Sequence, residues 1–374
     1  MTGKERMLAA LALEAPDRLP CTVHQWQQYH LDKYLGGIDD LAAFRRFGLD
    51  AAIAYFEAIG QFWMPEAVDV GDLSPDWRDE MTVVKDDPND RIIHHTISTP
   101  GGTLTYKTGG NAYTTWITEY LIKEPERDLD LIERYMPVPA LDQRSITAAY
   151  DRLGDDGILR GFVWGDQAGS WQHACCLYGE QEMILAAIDD PAWVHRLLRV
   201  LTDKKLRFIE GSLDGAKFDL IETGGGAGSS TVISPKLHEE FCLPYDREVH
   251  EACHAVGHRV VYHTCGGMMP LLELIAANGC DASETLSPPS VGGDVDDPAE
   301  VKRRIGDQVC LIGGMNQFQI LTDGTPEQIR AEVRRLFETA GQGGGYICST
   351  SDHFFDTPPE NLQAYADAAR ECVY

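Results

Sequence analysis

The chain has 374 residues, of which 43% are hydrophobic, and its 32 basic and 59 acidic residues give a formal net charge of −27 at pH 7. This length is sufficient for one large globular domain. The negative charge argues against nucleic acid or an anionic membrane surface as a partner, because both would repel the chain.

The N-terminal residues 1–20 carry charged side chains within their apolar stretch and lack a small-residue cleavage site, so they predict a helix and not a signal peptide. The sequence contains no run of about 18 apolar residues, so it predicts no membrane span. Ten cysteines at irregular spacing indicate a reducing compartment, since a chain of this size needs no disulfide framework. We therefore expect a cytoplasmic protein.

Short β-rich runs alternate with helical patterns along the chain. Eight such runs cover residues 19–25, 50–56, 158–165, 219–225, 258–266, 280–287, 308–317 and 344–353. Several helical segments begin with Pro, Ser or Asp and end at Gly. The alternation predicts a (β/α)8 TIM barrel, with catalytic groups at the carboxyl ends of its strands. An open doubly wound sheet is the alternative, but no glycine-rich dinucleotide fingerprint follows the first strand.

The gap after the second strand is too long for one connection. Residues 81–120 alternate polar and apolar positions around the turn signals PND, PGG and TGG. They predict antiparallel strands inserted over the mouth of the barrel. We expect a single domain over residues 1–374.

The carboxyl ends of the predicted strands carry residues that would meet at one mouth. They are His24, Tyr55, Trp164, Asp166, Glu222, His263, Cys265, Glu284, Asn316, Cys348, Asp352 and His353. Of these we predict that His24, Trp164, Asp166 and Asn316 bind substrate, together with the neighbouring Trp26. Asp352 and His353 are predicted to orient substrate or to transfer a proton.

A metal site is the sharpest prediction from these residues. His263 and Cys265 lie two positions apart, on the same face of one strand. Cys348, at the end of the eighth strand, would supply a third ligand, and one nitrogen with two sulfurs suits zinc. Glu222 is the candidate for the fourth, displaceable position and for a catalytic role.

Each of these residues also has a structural interpretation. Cysteine is a common small residue of protein cores, and a buried histidine is often satisfied by hydrogen bonds. Asp352 could cap the following helix, and Asp166 and Glu284 could make buried hydrogen bonds near the rim. Aromatic residues at strand spacing are more often core than substrate lining.

Several segments resemble the uroporphyrinogen decarboxylase superfamily. They are KERMLAAL followed by PDRLP near the N-terminus, HTCG at 263–266, IGGMNQ at 312–317, and residues 344–365, which include GGYI and TPPENLQAY. The likeness extends to the zinc-dependent, corrinoid-linked methyltransferase branch, which includes methylcobalamin:coenzyme M methyltransferases and O-demethylases. The zinc pattern of that branch, H-x-C followed later by a single Cys, corresponds to His263, Cys265 and Cys348.

The resemblance also separates two activities within the superfamily. The decarboxylases bind a multiply carboxylated tetrapyrrole through an arginine-rich segment after the first strand. This chain has HQWQQYH at residues 24–30, which contains no arginine. Unpaired substrate carboxylates would be costly, so the departure counts against porphyrinogen decarboxylation.

The resemblance therefore implies a zinc enzyme that moves a methyl group between a small methylated substrate, with an aromatic methyl ether as one candidate, and a corrinoid (cobalamin) held by a partner protein. Thiol methylation from methylcobalamin, a metal-free decarboxylase or lyase using Asp166 or His24, and a catalytically silent paralogue stay as alternatives. A homodimer is an open possibility.

Overall fold

Seven of the eight predicted strands pair in one parallel sheet. The computed structural model describes residues 1–55, 74–111, 113–165 and 167–374. The sheet strands, numbered in chain order, are β1 (Ala51–Ala54), β6 (Gly157–Phe162), β7 (Leu220–Gly224), β8 (Val260–His263), β9 (Ala282–Thr285), β10 (Cys310–Met315) and β11 (Tyr346–Thr350). They lie in that spatial order, as expected for a series of right-handed β-helix-β units.

The predicted first strand at 19–25 is not a strand in the structure. Its Cys21 makes one isolated parallel bridge to Cys348. Backbone hydrogen bonds join Thr22 N–H to Cys348 O at 2.9 Å and Asp50 N–H to Cys21 O at 2.8 Å. The segment therefore lies between the two edge strands β11 and β1. Pro20 has no N–H to donate, which limits the ladder that this segment can form.

Fourteen α-helices occur in the described ranges. They are α1 (Gly3–Leu11), α2 (Gln28–Leu35), α3 (Asp40–Phe47), α4 (Pro125–Tyr135), α5 (Gln143–Leu153), α6 (Ser170–Tyr178), α7 (Glu180–Asp189), α8 (Pro191–Phe208), α9 (Pro235–Phe241), α10 (Leu243–Ala255), α11 (Leu272–Ala277), α12 (Pro298–Ile305), α13 (Pro326–Leu336) and α14 (Pro359–Glu371). Side chains such as Asp190, Ser234 and Thr325 accept hydrogen bonds from backbone N–H groups of the first turn. These caps satisfy donors that a helix leaves free. None of the helices in these ranges is both long and apolar enough to cross a bilayer.

The predicted insertion is confirmed as a four-stranded antiparallel sheet. Its strands are β2 (Arg78–Lys85), β3 (Arg91–Thr99), β4 (Gly102–Gly110) and β5 (Thr115–Glu119), paired in that order. Ile97, Leu104 and Tyr106 bury the inner face of this sheet. Tyr113, in the β4–β5 connection, contacts Tyr29, with ring centroids 4.9 Å apart.

One face of the parallel sheet changes character along its strands. Near the amino ends it is apolar, and it packs against Met7 and Leu11 of α1 through Ala52, Ile158, Leu220, Val261, Ala282, Ile312 and Ile347. Strand side chains alternate between faces, so the residues two positions further along belong to this same face. On four strands those residues are Arg160, Glu222, His263 and Glu284. The polar groups therefore gather toward the carboxyl ends of the strands.

We predict that Asp50 contributes strongly to stability. Its buried carboxylate pairs with Arg6 at 2.5 Å and with Arg18 at 3.2 Å, and it accepts the Cys21 N–H at 3.1 Å. Asp50→Asn should lower the free energy of unfolding by about 3 kcal/mol, because it leaves buried cationic groups short of their counter-charge. Urea denaturation measures this change.

Asp17→Asn is the matched control, because Asp17 also pairs with Arg6 but its side chain is 41% exposed. Asp17→Asn should lower the free energy of unfolding by less than about 1 kcal/mol. Equal losses in the two variants would contradict the role assigned to Asp50.

Candidate functional site

A buried ion network occupies the polar end of the sheet face. The Arg160 Nη2 atom donates to Glu222 Oε2 and to Glu284 Oε1, both at 2.7 Å. These three residues are 4%, 3% and 1% exposed, so none has a solvent counter-ion. They come from three different strands, β6, β7 and β9. Removing any one of them would leave a buried charge without its partner.

Glu284 extends the network to His263. The Glu284 Oε1 atom lies 2.9 Å from His263 Nδ1, and the Glu222 Oε1 atom lies 3.8 Å from the same nitrogen. Burial by itself lowers the pKa of His263. The charge of Cys265, hydrogen bonds to Cys265 and Glu284, and the charge of Glu222 outweigh it and raise that pKa well above its usual value. A carboxylate on Nδ1 fixes the orientation of the ring and directs Nε2 away from it.

Two groups of potential metal ligands share His24. The ligand atoms of His24, His263 and Glu284 all lie within 4.8 Å of one another, and so do those of His24, Asp352 and His353. The His24 ring centroid is 5.3 Å from those of both His263 and His353. Burial lowers the pKa of His24 to about 3, so its imidazole is neutral near pH 7. A neutral imidazole is the form that binds metal ions.

Several buried atoms of these groups lack a hydrogen-bond partner within the described part of the chain. They are His263 Nε2, Glu284 Oε2 and His353 Nδ1. Most buried polar atoms in native proteins are paired, so three such atoms in one cluster point to a missing ligand. Nitrogen and carboxylate donors together suit zinc or another first-row divalent cation.

A cavity of about 380 Å³ opens beside this cluster. The described residues that line it are Gln167, Gln172, Glu180, Gly226, Ala227, Ser229, Thr231, Val232, Cys265, Gly266, Ser287, Val291, Gly292 and Asp352. Cys265 and Asp352 connect the cavity to the histidine cluster. None of the lining residues is lysine, arginine or aromatic. The part of the cavity wall that these residues form therefore offers hydrogen bonds and negative charge, but no cation for a polyanionic substrate.

Gln167 is a site residue that the sequence did not identify. Its Nε2 atom lies 3.9 Å from Cys265 Sγ, and its Oε1 accepts the Gly226 N–H at 3.2 Å. Gln167 and Ala168 both have left-handed backbones, with φ of 51° and 67°. Such conformations are costly for residues other than glycine and concentrate at functional sites. A Cβ atom on Gly226 would lie 2.8 Å from Cys265 Sγ, so glycine is needed there.

The structure contradicts the prediction that Cys348 completes a set of metal ligands with His263 and Cys265. Cys348 lies inside β11, is 0% exposed, and accepts a hydrogen bond from Tyr365 of α14 at 3.4 Å. The adjacent Ile347 packs on the opposite face of the sheet, with the apolar residues below the site. Side chains alternate along a strand, so Cys348 points toward the helices.

Glu222 is also placed differently from its predicted role as a displaceable metal ligand. Its carboxylate is paired with the Arg160 guanidinium. It belongs to neither of the two potential ligand groups found in the described residues. Arg160 already balances the negative charge of Glu222. Helping to fix the orientation of His263 is therefore a more suitable role for Glu222 than binding a metal ion.

Three predicted substrate-binding residues have structural roles instead. Trp26 is buried among Phe44, Phe47 and Phe354. Trp164 is 1% exposed, and it does not line the cavity. Asn316 accepts the backbone N–H groups of Phe318 and Gln319, and so caps the π-helical turn at Gln317–Thr322.

The other predicted residues fall into two groups. The structure brings His24, His263, Asp352 and His353 together, with Cys265 beside them. Asp166 lies outside the described residues. Arg160 was not predicted, and Glu284 was named as a strand-end residue that could make a buried hydrogen bond near the rim.

Comparisons with known proteins agree with this fold. The family described as uroporphyrinogen decarboxylase (URO-D) matches residues 120–372, and the chain belongs to this family. The uroporphyrinogen decarboxylase of Aliivibrio salmonicida is 33% identical over 192 residues, which are 49% of this chain and 49% of the relative. That of Pseudoalteromonas translucida is 30% identical over 192 residues, 50% of each chain. The matches thus span about half the length of these curated relatives.

A solved structure extends the likeness to the whole fold. A methyltransferase from Methanosarcina mazei matches with a TM-score of 0.68 over 99% of both chains, at 19% sequence identity. This likeness shows a shared fold. The predicted superfamily is confirmed by the family match.

We predict that Arg160 is indispensable to the folded site. Arg160→Gln should lower the free energy of unfolding by about 3–5 kcal/mol, because Glu222 and Glu284 would remain buried as like charges without the cation that they share. Arg196→Gln on α8 is the control, since Arg196 also contacts carboxylates but is 37% exposed. Arg196→Gln should lower the free energy of unfolding by no more than about 1 kcal/mol. Urea unfolding of both variants tests the contrast, and an unchanged Arg160→Gln protein would refute it.

Proposed function

We propose that the chain is a zinc-dependent methyltransferase, which moves a methyl group between a small methylated substrate and a corrinoid held by a partner protein. The observation that carries the proposal is the convergence of His24, His263, Asp352 and His353 beside a cavity whose described lining includes Cys265 and no cationic side chain. The family membership and the fold shared with a methyltransferase support it.

The residues around the cluster fit a zinc ion. His263 Nε2 makes no close hydrogen bond when Nδ1 faces Glu284, and Cys265 is the neighbour that acts on this ring. His353 Nδ1 also makes no close hydrogen bond, and Asp352 Oδ1 lies 3.8 Å from it. Histidine Nε2, a second imidazole, the Asp352 carboxylate and the Cys265 thiolate are all ligands that zinc accepts. When bound, zinc supplies Lewis acidity that polarises an ether oxygen or lowers the pKa of a thiol.

The protein residues have separate tasks in this proposal. Arg160 and Glu284 hold the His263 ring in place, which is the usual role of an outer carboxylate at a metal-binding histidine. Gln167 positions the Cys265 side chain from across the cavity. Asp352 and His353 are in place to orient the substrate or to hold a proton of its leaving group. The small, polar cavity favours a compact substrate, and its described lining gives no support for an aromatic methyl ether.

Decarboxylation of a porphyrinogen is the second candidate, because the curated relatives carry that name. A polycarboxylated substrate needs cationic partners. The described cavity lining contains none, and Arg160 is committed to two carboxylates. We therefore place this activity second.

Metal content and turnover test the proposal together. Purified protein loaded with zinc should retain about one ion per chain after desalting, and His263→Gln and Cys265→Ser should lower retention and abolish methyl transfer. Cys348→Ala is the control, because Cys348 faces the helices; it should retain zinc and activity. Thermal unfolding confirms that each variant is folded.

The activity assay uses Co(I) cobalamin with methylated oxygen, nitrogen and sulfur compounds, and methylcobalamin with thiols for the reverse direction. Uroporphyrinogen is included as a separate substrate. Turnover of uroporphyrinogen by metal-free protein, without methyl transfer to either acceptor, would overturn the proposal in favour of the decarboxylase.

A further inference from the structure

The strand β2 forms one edge of the inserted sheet, and its side chains are almost entirely exposed. The sheet order is β2-β3-β4-β5, so β2 pairs with β3 on one side. Among the described residues, none outside β3 makes a backbone hydrogen bond with β2. Seven of its eight residues are exposed. An edge strand with unpaired N–H and C=O groups can accept another strand beside it.

Large aliphatic side chains lie on this edge. Met81, Val83 and Val84 are 66%, 48% and 59% exposed. Met81 lies opposite His95 of β3, which is only 2% exposed. Directly opposed residues of an antiparallel pair share a face, and Val83 is two positions further along that face. The buried face of the inserted sheet therefore continues into an exposed apolar strip, which is typical of an interaction surface.

The other edge strand, β5, is less suited to pairing. It has five residues, Thr115–Glu119. Its Glu119 is already paired with Lys107 and Lys123. Trp116 lies directly over β4, since a Cβ atom on Gly109 would be 2.7 Å from its Nε1 atom. Between the two edges of the sheet, β2 is the longer and the richer in exposed aliphatic side chains.

The sequence of β2 is complementary to itself when two copies run in opposite directions. Residues 80–85 read EMTVVK. If two copies pair about a two-fold axis at Thr82, Met81 of each copy lies opposite Val83 of the other. The faces also agree, because a two-fold axis perpendicular to a sheet keeps each side chain on its own face. Each copy would then cover the apolar strip of the other.

The charges of the strand agree with the same register. The pairing of β2 with β3 shifts between Val83 and Lys85, so that Lys85 lies opposite Ile92. This bulge places Lys85 on the face of Glu80, and opposite Glu80 of the second copy. Glu80 is exposed and has no ion pair in the described part of the chain, whereas Lys85 pairs with Asp90 at a position 48% exposed. So exposed a pair contributes little, and exchanging it for Glu80 costs little.

We propose that two copies of this chain associate through β2, which joins their inserted sheets, four strands from each, into one continuous antiparallel sheet. The interface is isologous, because the same residues of both copies form it. Each chain has a net charge of −27, so the copies repel each other and the association strengthens when salt screens that repulsion. The proposal does not depend on the methyltransferase function.

Sedimentation equilibrium of the full chain, in about 0.3 M salt and at up to about 100 µM protein, tests the association. The measured mass should rise with concentration toward twice that of one chain. Met81→Lys/Val83→Lys should weaken the dimer at least about 100-fold, because it replaces apolar contacts by facing like charges. Both side chains are exposed, so the monomer should fold normally.

Thr115→Lys/Thr118→Lys is the matched control, because it adds the same charge at two exposed positions of the other edge strand. It should associate like the parent protein. A chain that stays monomeric over the whole concentration range would overturn the proposal, and so would equal dimerisation of the two double variants.

Cross-linking tests the register. Thr82→Cys should form a disulfide-linked dimer under copper–phenanthroline oxidation, because Thr82 lies next to its own copy at the axis. Thr118→Cys and the parent protein should form no more than a background of cross-linked dimer. A Thr82→Cys protein that cross-links no more than the parent, or less than Thr118→Cys, would contradict the β2 interface.

Discussion

The guanidinium of Arg160 holds two buried carboxylates, Glu222 and Glu284, next to each other. Without that cation the two like charges would face each other in a medium of low dielectric constant, at a cost of several kcal/mol. With it, the Glu284 carboxylate is fixed 2.9 Å from His263 Nδ1. The orientation of His263, and the availability of its Nε2 atom, therefore depend on an arginine that does not itself line the cavity.

The sheet explains why this network can exist. Below it, on the same face, small and branched apolar residues pack against α1 and exclude water. Above it, the residues after β8 and β11 supply Cys265 and Asp352 at the cavity, with His353 next to Asp352. The polar layer is thus placed between a dry apolar layer and an open cavity, which is the usual position of a site at the carboxyl ends of parallel strands.

Local patterns were sufficient for much of this arrangement. Seven strands, the inserted sheet and the cluster of His24, His263, Asp352 and His353 follow from strand periodicity and from the residues that end each run. Cys348 was misplaced because its strand continues to Thr350, and a shift of one position changes the face of a side chain. Arg160 could not be identified, since its partners are 62 and 124 residues away.

The ligand set of the proposed metal centre is the central claim, and zinc K-edge X-ray absorption of the zinc-loaded protein measures it most directly. The account predicts a first shell dominated by nitrogen and oxygen, with at most one sulfur, supplied by Cys265. A shell with two sulfur atoms would require Cys348 to join His263 and Cys265, and would contradict the account.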